Sequence, residues 1–579
     1  MISAALNVAA SSLKTQQKAI DVVSHNIANV NTPGYSRQRA ELGAVAPNQS
    51  NAFDFGRGVD LNNISRSVDR GVNQALLRNS PQQTYWNEIQ TGLKSIENVF
   101  GSLQGTGLSA SMDGFFLAAQ KVANAPEDAA LKFDMRTKSM TLASQFSSMS
   151  SQLKGMQQNA DASIDQNLQS ANTLLTKIAS LNTQISKHEA VSKGVVGAAN
   201  DLRDQRDQAV RDLSAFMPIQ DVRTSDGGVL LQTLGGDLLL QDGVAQQLTR
   251  GGVATASGFQ NVVIAGSNRP VGGLDQGGKI GGAIALRDDR VAGYLKDLDS
   301  MAVNLSFAVN QANASGVGSS RLSQVQSGLG VVNTALPVSD VAQNNPFSGQ
   351  VQNGTFTMHV YDAAGAPLTP VSKGAITVTA GVSTMASIAA DITALVPGVT
   401  ASVDVSGKLL INGGVNTVGF SDDSSNFLAA YQVNSLFQGA DAASLSVSNA
   451  VQADAGLIST GQIDLLTSGI TLGDNRAALL TMGLQNKAVS IDGSPTTTLS
   501  QRTSLLSTKY GNDAVLASQQ EVFFKAEADS LNQQRQAFSG VNTDEELVSM
   551  IKFQRAYEAS AKVIQTSNRM LDSLMGLIR

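Results

Sequence analysis

The chain opens with the stretch ISAALNVAASSLKTQQKAIDVVSHNIANV, residues 2–30, in which apolar residues recur alternately four and three positions apart. The members of this row are Ile2, Leu6, Ala9, Leu13, Gln16, Ile20, Val23, Ile27 and Val30. A period of about 3.5 residues is that of a coiled coil, and it gives a seam narrower than the apolar face of a surface helix. The stretch therefore predicts a long N-terminal helix. Pro33 and Gly34 predict that this helix ends near Asn31.

The other end of the chain has the same pattern. The residues at this alternating spacing are Leu547, Met550, Gln554, Tyr557, Ala561, Ile564, Asn568, Leu571, Met575 and Ile578. Asn542 or Thr543 can cap this helix, and Glu545 or Glu546 three residues later closes a capping box. Neither helix alone offers enough apolar surface to offset the entropy of ordering it. We therefore expect the two terminal helices to pair as a coiled coil, with each other or with neighbouring subunits.

Between the two ends, helical and Gly-rich stretches alternate. Apolar residues at helical spacing dominate residues 130–215, whereas short apolar runs separated by glycines predict strands in residues 216–280 and again in 350–440. The fold class predicted is mainly α with β-rich insertions: long terminal helices paired as a coiled coil, a central helical bundle, and two inserted β or α+β domains. The predicted domains are 1–35 with 540–579 (terminal coiled coil), 36–215 with 450–539 (helical core), 216–325 (Gly-rich β domain with a returning helix) and 326–449 (inserted α+β domain).

Composition excludes several classes of function. The 579 residues carry a net charge of −6, and only 15% of them are charged. A small, diffuse negative charge argues against a nucleic-acid partner and against an anionic membrane surface. The absence of cysteine excludes disulfides, thiol catalysis and cysteine-built metal sites. The N-terminus lacks the early basic residue and apolar core of a cleaved signal peptide, so a chain that leaves the cell must use another route.

No catalytic motif is found in the sequence. His25, His188 and His359 are each isolated from other ligand types, so each is interpreted as structural or solvated. The charge-dense stretch NDLRDQRDQAVRDLS, residues 200–214, is interpreted as a solvated helix face rather than a binding patch. The expectation is a protein that is not an enzyme and has no cofactor and no metal.

Both ends of the chain carry motifs that resemble those of a known family. SHNIANVNTPGYSRQ (24–38) and SGVNTDEELVSMIKFQRAYEASAKVIQTSNRMLDSLMGLI (539–578) resemble the N- and C-terminal signatures of the bacterial flagellar axial proteins, which include the rod, hook and hook-associated proteins. Three internal segments are similar to the member that joins the hook to the filament: GTGLSASMDGFF (105–116), NDLRDQRDQAVRDLS (200–214) and GDNRAALL (473–480).

The resemblance implies a structural protein that self-assembles at the distal end of the hook. Its implied partners are further copies of itself in a homo-oligomeric layer, the hook protein, a second hook-associated junction protein and a flagellar export chaperone. It also implies an extracellular location on the flagellum, reached through the flagellar type III apparatus without a cleaved signal peptide. The elbow that leaves the inner-tube helix would consist of Asn31, Thr32, Pro33, Gly34 and Tyr35.

Other interpretations remain open at this point. The chain could be another axial protein, namely the second junction protein or the hook protein, although its length, its two β insertions and the 200–214 motif argue against both. A secreted coiled-coil adhesin or translocator would not need the elbow at residues 31–35. A hydrolase on an axial scaffold would need carboxylates in the 330–450 insertion, and no motif there favours one.

Overall fold

The computed structural model describes residues 2–46, 56–100, 107–191, 199–223, 228–493 and 496–577. The helices are α1 (Ile2–Ala28), α2 (Arg70–Phe100), α3 (Leu108–Asn124), α4 (Ala129–Val191), α5 (Asn200–Ser214), α6 (Gly278–Ala285), α7 (Ala292–Ala314), α8 (Met385–Leu395), α9 (Phe427–Ala430), α10 (Asn449–Ala453), α11 (Arg476–Gly483), α12 (Leu499–Ser539) and α13 (Thr543–Leu577). The fold is mainly helical with small β-sheets, as the sequence predicts.

The strands are short and all of their pairings are antiparallel. They are β1 (Gln38–Ala44), β2 (Val59–Arg66), β3 (Ile219–Arg223), β4 (Val229–Thr233), β5 (Leu238–Gln241), β6 (Val244–Ala245), β7 (Leu248–Gly251), β8 (Asn261–Ile264), β9 (Gln324–Gly330), β10 (Gly354–Tyr361), β11 (Lys373–Val378), β12 (Thr400–Val403), β13 (Lys408–Asn412), β14 (Thr417–Ser421), β15 (Phe437–Gln438), β16 (Ser446–Val447), β17 (Ala488–Val489) and β18 (Thr497–Thr498).

The chain forms two compact units, and each is made of segments that are distant in sequence. The first comprises Met1–Thr91, Asn159–Asp288 and Val515–Arg579, and the second comprises Gly92–Gln158 and Asp289–Ala514. The division into four domains given above remains a prediction.

In the first unit, one core joins helices to the small sheets. Apolar side chains of α4, including Ile164 and Leu175, pack with Leu213 of α5 and with Leu231 and Leu240 of the sheet β3-β4-β5-β6. All five are buried because the apolar face of each element meets the others in one cluster. The same unit contains α1, the β1–β2 hairpin and α13.

In the second unit, two three-stranded sheets and α8 share a core. The sheets have the strand orders β11-β10-β14 and β12-β13-β9. Thr384 caps α8 by accepting a hydrogen bond from the backbone N–H of Ser387, whose side chain accepts one from the N–H of Thr384. The hairpin that the sequence predicts about Ser406-Gly407 is confirmed as β12–β13, and Gly407 has a φ of +74°.

His359 lies buried in β10 of the second unit and bridges two serines. Its Nδ1 is 2.8 Å from Oγ of Ser468, and its Nε2 is 2.9 Å from Oγ of Ser421 in β14. Burial, assisted by the charge of Lys373, lowers the pKa of His359 to about 4. The imidazole is therefore neutral at neutral pH and holds the loop around Ser468 to the sheet.

We expect the second unit to lose stability in acid because of His359. In the unfolded chain this histidine takes up a proton near pH 6.5, whereas in the folded chain it resists protonation until about pH 4, so stability falls as pH drops through this window. Thermal unfolding between pH 7 and pH 4.5 measures the effect. His359→Gln should flatten this part of the profile, and an unchanged slope in the variant would contradict the assignment.

Candidate functional site

The two terminal helices pack against each other in antiparallel orientation. The hydroxyl oxygens of Ser12 in α1 and Ser560 in α13 are 2.8 Å apart. Further along, Nδ2 of Asn26 donates to Oε2 of Glu546 at 2.9 Å. The two contacts are fourteen residues apart on each helix, from 12 to 26 on α1 and from 560 back to 546 on α13, so the register is constant over two heptads.

The most buried side chains of α1 lie next to the predicted seam rather than on it. Of the seam residues, Ala9 and Val23 are buried, Val30 is exposed, and the remainder with described side chains are half-buried: Leu6, Leu13, Gln16, Ile20 and Ile27. Thr15, Ala19, Val22 and Asn26, one position before seam members, are buried instead. The hydroxyl of Thr15 donates to the carbonyl of Val59, so the β1–β2 hairpin covers part of this face.

On α13, most of the predicted seam faces solvent in the single chain. Met550, Ala561 and Ile564 are half-buried. The exposed members are Leu547, Gln554, Tyr557, Asn568, Leu571 and Met575, and Ile578 lies outside the described residues. The buried side chains of α13 are Glu546 and Ser567, each one residue before a seam member. The burial of the predicted seam therefore stays a prediction that concerns neighbouring copies.

A turn follows α1 at residues 29–35, and the role of these residues as an elbow that leaves an inner-tube helix stays a prediction. Helix α1 ends at Ala28, the N–H of Thr32 donates to the carbonyl of Asn29, and the N–H of Tyr35 donates to the carbonyl of Thr32. Gly34 is buried with a φ of +82°, and a Cβ added there would stand 2.8 Å from Oε1 of Gln208 in α5. The positive φ favours glycine at this position, and an added Cβ would also have to displace the flexible side chain of Gln208.

Asn26 is the centre of a hydrogen-bonded network beneath the elbow. Its Oδ1 accepts from the hydroxyl of Tyr35 and from the N–H of Gln38, both at 2.9 Å, and its Nδ2 also donates to the carbonyl of Gln38 at 2.8 Å. Burial and the nearby carboxylates of Asp201, Asp204 and Glu546 raise the pKa of the Tyr35 hydroxyl, which therefore stays protonated as a donor. Both the amide oxygen and the amide nitrogen of Asn26 are fully hydrogen-bonded, and the partners lie in three separate segments: Tyr35 in the turn, Gln38 in β1 and Glu546 in α13.

Helix α5 supplies the buried acid on the other side of the elbow. Asp204 accepts from the N–H of Ser36 at 2.9 Å and from Arg66 of β2 at 2.7 Å. Burial raises the pKa of Asp204, and the Arg66 guanidinium opposes that rise. The interpretation of residues 200–214 as a solvated helix face is therefore wrong for Asn200, Asp204 and Arg206, all of which are buried. The reason is that distant residues satisfy these polar groups.

Arg37 joins the elbow to the first turn of α13. Its Nε lies 2.6 Å from Oε1 of Glu546, and its Nη1 donates to Oε2 of Glu545 at 2.6 Å. The side chain of Glu546 is 2% exposed and that of Glu545 is 59% exposed. Glu546 thus receives both Arg37 and Asn26 inside the protein, whereas Glu545 meets Arg37 at the surface.

The three histidines interpreted above as structural or solvated lie in three separate environments. His25 lies 3.1 Å from the hydroxyl of Tyr35, His188 is exposed, and His359 is bonded to a Ser468 hydroxyl that is itself buried. No group of three or more acidic or histidine side chains within the described ranges could hold a metal ion. No helix in the same ranges is long and apolar enough to cross a membrane.

Sequence reasoning missed the polar residues that hold the elbow. The sequence pattern indicates the turn, but it does not single out Asn26, Gln38 or Arg66. It also places Asp204 in solvent. A usable signal exists in α5, where Asn200, Asp204, Asp207 and Arg211 recur at helical spacing and so share one face. A polar stripe of this kind on one helix face indicates buried partners as readily as solvent.

Comparisons with known proteins match both ends and the middle of the chain. The family model described as "Flagellar hook-associated protein FlgK helical domain" matches residues 93–324. The model "Flagella basal body rod protein" matches residues 6–35, and "Flagellar basal body rod FlgEFG protein C-terminal" matches residues 532–577. The terminal matches contain the elbow and both paired helices.

Similar proteins extend over the full length. The flagellar hook-associated protein 1 of Salmonella typhimurium is 26% identical over 100% of both chains, and that of Escherichia coli K12 is 25% identical over 100% of both. The solved structure of the flagellar hook junction protein FlgK from Burkholderia pseudomallei is 19% identical, with a TM-score of 0.50 over 81% of this chain and 100% of that one. The similarity to this solved structure concerns the fold alone.

We expect Glu546→Gln to loosen α13 from the elbow. The amide cannot neutralise the Arg37 guanidinium, and a lost charge-assisted contact of this kind costs about 1.5–3 kcal/mol. The matched control is Glu545→Gln, whose exposed contact with the same arginine is worth less than about 1 kcal/mol. Hydrogen exchange of the α1 and α13 amides in the purified chain measures both variants. Equal loss of protection in the two would show that burial of Glu546 has no special role.

Proposed function

The chain belongs to the family of flagellar hook-associated protein 1, and on that premise we propose that it is a structural subunit of the junction between the flagellar hook and the filament. The observation that carries the proposal is the full-length match to these relatives, together with separate matches at both terminal helices. The role proposed is assembly rather than catalysis.

Exposed apolar side chains on α13 support assembly between copies. These side chains are Leu547, Val548, Ile551, Val563, Met570, Leu571, Leu574 and Met575. These side chains lie in two groups, at residues 547–551 and 563–575, and exposed apolar groups of this kind are typical of interaction sites in soluble proteins. We infer that the predicted seams of α1 and α13 become buried when several copies pack their terminal helices as a coiled-coil inner tube, formed by residues 1–35 and 540–579.

The proposed partners follow from the proposed position of the chain at the junction between hook and filament. One side of a homo-oligomeric layer would contact the hook protein and the other side the second hook-associated junction protein. Before assembly an export chaperone would cover the apolar face of α13, since exposed apolar surface promotes aggregation. The chain would reach the extracellular flagellum through the flagellar type III apparatus without a cleaved signal peptide.

The experiment that tests the proposal is deletion of the gene. The expected phenotype is cells with hooks but without filaments, and with filament protein released into the medium. Expression of the intact chain should restore the filaments. Normal filaments in the deletion strain would overturn the proposed function.

We predict that Leu571→Asp blocks assembly without unfolding either unit. Its side chain is 38% exposed in the single chain, so a charge is tolerated there until a neighbouring copy buries it. An uncompensated buried charge costs roughly 3–5 kcal/mol, which reduces association by more than about tenfold. The control is Gln565→Asp, at an exposed position of the same helix outside the seam. A large fall in the main melting temperature for Leu571→Asp would contradict the prediction.

The polar seam members Gln16, Gln554 and Asn568 are proposed to set the register between copies. A buried polar residue in a coiled coil costs stability but penalises registers in which it has no partner. Asn568→Leu should therefore strengthen terminal-helix association while it lowers the number of correctly joined filaments. A melting curve and a motility assay measure the two effects. Raised stability with full motility would refute the register role.

A further inference from the structure

A polar cavity lies on the open side of the elbow. Its volume is about 410 Å³, and it is lined by residues 29–35 and by Arg535, Gln536, Gly540 and Val541. The cavity therefore lies where α1 enters the elbow and where α12 passes to α13, at the base of the terminal-helix pair. All of its lining belongs to the first compact unit.

Arg535 is the unusual member of this lining. It makes no ion pair with any other described residue, and its Nε is buried with no hydrogen-bond partner there. The other arginines near the elbow have ion-pair partners: Arg37 lies beside Glu545 and Glu546, and Arg66 beside Asp204. A guanidinium without an ion-pair partner, whose Nε is out of water and unbonded, favours a carboxylate, which it can bind through two parallel hydrogen bonds.

A second guanidinium, that of Arg211, lies close enough to Arg535 to be affected by its charge, while the carboxylates of Asp204, Asp207 and Asp212 act on Arg211 in the opposite direction. The pKa of Arg211 in α5 is lowered by burial and by the charge of Arg535. Arg211 donates to Oε1 of Gln208 at 2.7 Å, and Gln208 in turn donates to Asp212. Asp212 is thus engaged with Gln208, and it makes no ion pair with Arg535.

We propose that the cavity at the elbow binds an acidic side chain from a terminal helix of a second copy of this chain, with Arg535 as the residue that receives it. The inference rests on the proposed function, in which neighbouring copies pack their terminal helices together. Four acidic residues of these helices are exposed and form no ion pair within the described chain: Asp21, Asp544, Glu558 and Asp572. The side chain that enters the cavity is one of these four.

Charge reversal with rescue tests the proposal in the deletion strain. Arg535→Gln and Arg535→Glu should lower the fraction of hooks that bear filaments by more than about tenfold, whereas Arg535→Lys should retain part of it. In the Arg535→Glu background, one of Asp21→Arg, Asp544→Arg, Glu558→Arg or Asp572→Arg should restore filaments. Arg39→Gln is the control, since Arg39 is an exposed arginine of β1 in the same unit.

The outcomes separate this inference from the proposed function. Melting curves of the purified variants confirm that Arg535 variants are folded and so assign any loss to assembly. Suppose that the deletion strain lacks filaments but forms normal ones when it expresses the Arg535→Gln chain. That result would overturn the proposed role of the cavity and leave the proposed function intact. Failure of all four reversals to rescue a folded and secreted Arg535→Glu chain also overturns that role. Filaments that persist in the deletion strain overturn the proposed function, and this inference with it.

Discussion

The buried carboxylate of Glu546 is the interaction on which the terminal part of the molecule depends. It receives Asn26 from the end of α1 and Arg37 from the far side of the elbow, so three segments converge on one side chain. A carboxylate that is 2% exposed is stable only when its charge and its lone pairs are satisfied. The position of α13 relative to the elbow is therefore set by polar contacts, which have stricter geometric requirements than apolar ones.

The same principle extends to α5. Asp204 holds Ser36 and Arg66, and Asp201 accepts from the side chain of Gln38 at 2.7 Å. The elbow is thus held between two acidic helix ends, one near residue 204 and the other at residue 546. Because each acid bonds to backbone or side-chain groups of the same short segment, residues 34–38 have a defined path between the helices.

The helices, turns and hairpins of the fold could be predicted from the sequence more reliably than the tertiary contacts that each of them makes. Periodicity and capping residues located α1 and α13, the Pro33-Gly34 pair located the turn, and Ser406-Gly407 located a hairpin. Several buried residues of α1 lie one position before the predicted seam, because the β1–β2 hairpin covers Thr15. The spacing of apolar residues alone does not reveal which element covers a helix. The burial of Asp204 was missed because its partners, Ser36 and Arg66, are more than a hundred residues away. Apolar spacing is a local property, whereas satisfaction of a buried charge depends on tertiary contacts.

The contact between α1 and α13 also has a mechanical consequence. The buried side chains of the two helices are Ala9, Thr15, Ala19, Val22, Val23, Asn26, Glu546 and Ser567, of which Thr15 meets the β1–β2 hairpin. In the described part of both helices no leucine, isoleucine, methionine or aromatic side chain is fully buried in the single chain, so interlocked large side chains contribute little and the contact is comparatively smooth. A smooth contact resists axial shear through its few hydrogen bonds rather than through shape. We therefore expect such a helix pair to tolerate a small axial displacement of α1 against α13 for as long as these hydrogen bonds hold.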